Sequence, residues 1–137
     1  MGEWANDYLD FVRQDQSTMT YKEKKKVFSS LFKAFPPDRP ADELTVAEVR
    51  LFLARQARER SGNAANKDRK NLMAGWRWGT KYLGLPEKNP FAAVDKFRSD
   101  QKPRYVPPED HFRKVLEVVN TEADRVFILT FLHTAAR

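Results

Sequence analysis

Apolar residues in this chain return at every third or fourth position and almost never at every second one, a spacing that builds helices and leaves little room for a sheet. End signals then divide the sequence into six helices. The first spans Trp4 to Gln14 and turns Trp4, Tyr8, Phe11 and Val12 inward; the polar run Asp15-Gln16-Ser17-Thr18 breaks it. Thr20 and Glu23 have capping-box spacing, which opens a second helix from Tyr21 to Phe35. Pro36-Pro37 stops it, because proline has no N–H to donate and disfavours helical geometry in the residue before it. Thr45 and Glu48 form another capping box for a third helix, which runs through Val49, Phe52 and Leu53 to about Arg60. Ser61-Gly62-Asn63 breaks the chain and caps a fourth helix, Ala64 to Leu83, which ends at Gly84. After the turn at Asn89-Pro90-Phe91, residues 96–108 read as a polar, basic linker closed by Pro107-Pro108. A fifth helix (Glu109 to Val119) and a sixth (Glu122 to Thr134, capped by Thr121) complete an all-α reading: a bundle over 1–95, a linker over 96–108 and a helix pair over 109–137.

Composition narrows the function classes. Ten Phe, three Trp and four Tyr, with 41% hydrophobic residues, are enough for a packed core. Cys is absent, which rules out disulfides and thiolate metal sites and fits a reducing cytoplasm. His111 and His133 stand alone, without metal-ligand spacing, so no metal site is expected at either. No run has the length of a membrane span, and the start lacks a signal-peptide pattern, so no membrane partner is expected either. The net charge of +6 is unevenly placed. Residues 1–60 hold 11 basic and 10 acidic groups, residues 61–105 hold 10 and 4, and residues 106–137 hold 4 and 5. The whole excess thus sits in the middle segment, as expected of a face that binds a polyanion.

Two helices concentrate that charge on one side. At about 100° per residue, the fourth helix gathers Ala65, Leu72, Trp76 and Leu83 on one face and Asn63, Lys67, Lys70, Arg77 and Lys81 on the other. Ala74 lies in the middle of the basic stripe, where a small side chain allows the backbone close to a nucleic-acid groove. Lysines on either side then reach phosphates, and Asn63 and Arg77 reach base edges. The second helix repeats the design. Tyr21, Phe28, Leu31, Phe32 and Phe35 form its apolar stripe; Lys22, Lys26 and Lys33 form the opposite face, with Ser29 and Ser30 between them. Lys24 and Lys25 project towards the flanks of the apolar stripe and are expected to snorkel over the core. Trp76 is expected in the core, and Trp78 is either a contact to sugar and base or a boundary residue. Lys96, Arg98, Lys102 and Arg104 make the linker either a strap along a duplex or an ordinary solvated connection.

The order of these signals resembles the front of a tyrosine recombinase, the phage integrase family. The similarity runs through Ser17-Thr18-Met19-Thr20, Leu44-Thr45-Val46-Ala47-Glu48-Val49, Phe52-Leu53, the turn from Ser61 to Asn66, the long helix ending in Gly84-Leu85, and Asn89-Pro90. It continues through Val106-Pro107-Pro108-Glu109-Asp110 to the apolar helix before Thr134-Ala135-Ala136-Arg137, where Ala135 stands at a position the family usually fills with glycine. The resemblance implies a four-helix, SAM-like core-binding bundle that clamps duplex DNA, followed by a linker and the first two helices of a catalytic domain. It also implies Arg137 as the first catalytic arginine and a parent enzyme that acts as a tetramer on paired sites. The parent's chemistry would be strand transfer through a phosphotyrosine, without metal or nucleotide cofactor. The nucleophile would lie beyond Arg137, so this chain by itself is expected to bind DNA and not to cleave it. Two other readings share the basic faces: a non-catalytic helical DNA-binding regulator, and a helical protein-interaction domain whose lysines are merely solvated.

Overall fold

The computed structural model describes residues 1–99, 105 and 107–134. Those residues form six α-helices and no strand: α1 (Gly2–Asp15), α2 (Thr18–Ala34), α3 (Val46–Glu59), α4 (Gly62–Leu83), α5 (Glu109–Val118) and α6 (Glu122–Thr134). The all-α expectation therefore holds. The chain divides into two compact units, Met1–Asp100 and Gln101–Arg137.

In the first unit, α1 to α4 enclose an aromatic core. Trp4 of α1 meets Phe28 of α2 edge-on, with ring centroids 5.0 Å apart, and Trp76 of α4 at 5.6 Å. Its indole N–H donates to the Gly75 carbonyl at 3.0 Å, so the large ring is buried without an orphaned polar group. Gly75 and Gly79 make this closeness possible. A Cβ at Gly75 would stand 3.1 Å from the Tyr8 ring, and one at Gly79 would stand 2.9 Å from Trp4 and 2.6 Å from Leu85. Trp76, Phe28, Phe91, Leu31, Leu53 and Leu72 are the largest side chains shut off from solvent. Of the apolar stripe expected on α4, only Leu83 departs. It is 40% exposed, because it lies in the last turn before the left-handed Gly84 (φ 69°), where the chain leaves the core.

Local signals explain most boundaries. Thr45 and Glu48 form the expected reciprocal capping box at the start of α3. Ser61 accepts from Ala64 N–H at the start of α4, and Thr121 accepts from Asp124 N–H at the start of α6. The second helix differs from expectation: it starts at Thr18, and Ser17, not Thr20, is its cap, accepting from Thr20 N–H at 3.2 Å. Thr20 lies inside α2 and forms no box with Glu23, whose carboxylate pairs with Lys67 of α4 at 2.6 Å.

The segment after α4 folds back onto the bundle. Asn89 accepts from the backbone N–H groups of Phe91 and Ala92 and donates to the Met73 carbonyl, which ties the turn to α4 and buries Phe91 and Val94. Asn66 then grips Phe97 from both sides, donating to its carbonyl at 2.8 Å and accepting from its N–H at 2.9 Å. Phe97 packs against the core. The first residues of the expected linker are thus fastened to the helical unit.

In the second unit, α5 and α6 bury none of their residues. Val118, Val126, Phe127, Phe131 and Leu132 are more than half exposed, and Phe127 and Phe131 touch each other at 5.8 Å.

Candidate nucleic-acid interface

All the candidate residues within α2 and α4 are on the surface of the first unit. Lys22, Lys26, Ser29 and Lys33 of α2 are exposed and Ser30 is half-buried; Asn63, Lys67, Lys70, Ala74, Arg77 and Lys81 of α4 are exposed. Helical periodicity accounts for this. The same spacing that sends Phe28, Leu31, Leu72 and Trp76 inward sends these residues outward. Lys102, Arg104 and Arg137 lie outside the described residues.

The two faces meet in part. Lys26 of α2 and Lys67 of α4 line one depression, together with Val27, Asn71 and Asp68. A second depression, between α2 and α3, is lined by Ser30, Lys33, Phe52, Arg55 and Gln56. Arg60, at the C-terminal end of α3, belongs to both. Lys22, Ser29, Asn63, Lys70, Ala74, Arg77 and Lys81 are exposed and line neither depression.

Acidic groups temper this surface. Lys67 is paired with Glu23, and Arg55 donates to Glu59 at 2.7 Å. All four side chains are more than 40% exposed, so these pairs contribute little to stability and can be exchanged for other partners. Arg60 is different. It donates to Asp68 at 2.6 Å and to Gln56 at 3.3 Å, and both acceptors are buried. Burial raises the Asp68 pKa above its usual value, and the opposing pull of Arg60, then Lys26 and Lys67, only partly offsets it. Lys26, which acts on Asp68 from a distance, and Lys33 form no ion pair within 4 Å among the described residues.

Several side chains behave otherwise than their sequence positions suggest. Lys24 does more than snorkel. It is 7% exposed, and its ammonium donates to the Tyr8 hydroxyl oxygen at 2.7 Å beneath the surface. Burial lowers the Lys24 pKa against the pull of Glu23 and pushes that of Tyr8 up to about 12. Lys25, by contrast, is exposed. Trp76 is in the core, as its position on the stripe implies. Trp78 is half-buried in an aromatic row with Tyr8, Phe11 and Tyr82, its ring 5.5, 5.6 and 5.2 Å from theirs. The exposed Tyr82 ring carries Lys81 over its face at 4.8 Å.

Arg55 and Arg60 do not stand out in the sequence, since charged residues near a helix C-terminus are common and favour the dipole there without any ligand. A usable signal existed: Asp68 has helix spacing with the core residues Ala65, Leu72 and Trp76, and a carboxylate on an apolar face implies a cation brought to meet it.

Chemically, the surface offers ammonium and guanidinium donors, two serine hydroxyls and an amide, a set suited to phosphate oxygens and base edges. Among the described residues no three His, Asp or Glu side chains gather as metal ligands would, and no helix is long and apolar enough to cross a membrane. Comparison with models of known protein families finds none that matches this chain, and a search of curated proteins finds no match either.

Proposed function

We propose that the first unit binds duplex DNA through the basic faces of α2 and α4, as the core-binding region of an integrase-type tyrosine recombinase would. The observation that carries this reading is the depression that Lys26 of α2 and Lys67 of α4, far apart in sequence, line together with Arg60, beside the acids Glu23 and Asp68. Two adjoining ridges with serine and alanine at their centres suit a phosphate backbone better than one solvated helix does. Lysines along both would position the duplex, with Asn63 and Arg77 towards base edges. In this reading the parent protein is the recombinase, acting as a tetramer on paired sites, and strand transfer belongs to the parent.

Affinity for a short duplex, measured across a salt series, tests this. The expected result is a steep fall in affinity as salt rises, steeper in proportion to the number of phosphates engaged. Changing Lys67, Lys70 and Lys81 together to Ala is expected to weaken binding for all sequences and reduce the logarithmic salt slope by about 2 to 3, with the fold intact. Salt-independent binding, or binding unchanged in the triple variant, would overturn the reading.

The pairing of Lys67 with Glu23 and of Arg55 with Glu59 favours one other reading, a protein-interaction domain whose surface charges are mutually satisfied. Under that reading the salt series would show no duplex affinity at all.

A further inference from the structure

Arg60 is the one residue common to the depression between α2 and α3 and the depression between α2 and α4. We propose that it is a phosphate-holding residue at that seam, oriented by buried Asp68, and that it grips a backbone phosphodiester of the duplex between Lys33 on one side and Lys26 with Lys67 on the other. The proposal rests on the DNA-binding reading and adds a third helix to it.

Its geometry carries the argument. The Nη1 donor is committed to two acceptors from different helices, Asp68 of α4 and Gln56 of α3, respectively 3% and 8% exposed. Nε and Nη2 have no partner among the described residues, and 38% of the side chain remains open to solvent. The guanidinium is therefore held at one edge and offers its remaining planar donors outward, which suits the forked recognition of a phosphate. Across the two depressions five cations (Lys26, Lys33, Arg55, Arg60 and Lys67) face three acids (Glu23, Glu59 and Asp68), an excess of two positive charges. Two of those acids sit in exposed pairs that an arriving phosphate can displace cheaply. Asp68 is not displaced, because leaving it buried without its arginine would cost too much. It acts as a positioning residue, spending part of the arginine's charge to fix its direction.

The experiment compares duplex affinity and salt slope for the full chain and three variants, each checked for fold by circular dichroism and thermal melting. Arg60→Gln with Asp68→Asn leaves the net charge unchanged and places no charge in the core. It is expected to bind about five- to tenfold more weakly, with a salt slope smaller by about one. Asp68→Asn alone adds a unit of positive charge, so a purely electrostatic surface would bind more tightly; positioning predicts about threefold weaker binding instead. The Lys67, Lys70 and Lys81 triple variant separates the two levels of the claim. If it loses affinity while the Arg60 and Asp68 double variant keeps both affinity and slope, the seam site is wrong and the DNA-binding reading stands. If the unsubstituted chain shows no salt-dependent binding, both fall. Tighter binding by Asp68→Asn would also overturn the positioning role.

Discussion

The apolar stripes of α1 to α4 and those of α5 and α6 follow the same helical spacing, but only the first group is largely enclosed, with Met19, Leu51 and Leu83 left outside. In Met1–Asp100 each apolar stripe meets another, and Trp4, Phe28, Trp76 and Phe91 interlock from three helices and the segment after α4. In Gln101–Arg137, Val118, Phe127, Phe131 and Leu132 keep more than half their surface in water. Amphipathic periodicity specifies which side of a helix seeks cover; it does not supply the cover. For the first unit, burial on one side also explains the charge left on the other. Once the aromatic stripes of α2 and α4 are packed inward, their lysine faces are fixed on the outside, and the helix contact sets Lys26 beside Lys67.

The largest expected effect separates these regions directly. Trp76→Ala removes a core indole together with its hydrogen bond to the Pro86 carbonyl, and is expected to cost about 3–5 kcal/mol in denaturant unfolding. Phe127→Ala should change the stability of the first unit by less than about 0.5 kcal/mol. Similar costs for the two would break the contrast.

A smaller effect tests how the core admits a charge. Lys24→Met deprives the Tyr8 hydroxyl of its ammonium partner and is expected to destabilise by about 1–3 kcal/mol. Lys24→Met with Tyr8→Phe replaces both polar groups by apolar ones and should return to within about 1 kcal/mol of the parent. A double variant as unstable as the single one would show that the bond itself, rather than the cost of leaving a group unpaired, holds α1 to α2.

The smallest effect concerns the box that starts α3. Thr45→Ala should cost about 1 kcal/mol by removing the cap. The same box sets an acid limb. Glu48 is held down to about 2, first by hydrogen bonds from Arg39 and then by those from Thr45. Its folded pKa lies below the usual 4.5, so its contribution is complete above pH 4.5 and is lost as pH falls towards 2. Glu48→Gln should therefore be less stable at neutral pH and flatter across that window; an unchanged acid limb would remove Glu48 from the account.

How much of this was legible in the sequence depended on the range of the interaction. Helix faces, the Thr45 box, the Ser61 cap and the Gly84 stop are set by neighbours within four residues, and each appears where local spacing places it. Ser17 and Thr20 both offer a hydroxyl; Ser17 is the cap, and Glu23 pairs instead with Lys67, 44 residues away, which local spacing does not reveal. Lys24 looked like a flank residue because Tyr8, on another helix, was needed to see that its ammonium had a buried partner. The basic ridges were legible one at a time. Their meeting at Lys26 and Lys67, and the place of Arg60 between them, come from helix packing alone.

The central claim is that α2 and α4 engage one duplex as a single surface. Titrating the isotope-labelled chain with a short duplex and following backbone amide shifts tests it most directly. The account predicts that amides on the Lys22, Lys26 and Lys33 face and on the Lys67, Lys70 and Lys81 face shift together and saturate along one curve. Shifts confined to one of these faces, or absent from both while another surface responds, would contradict it.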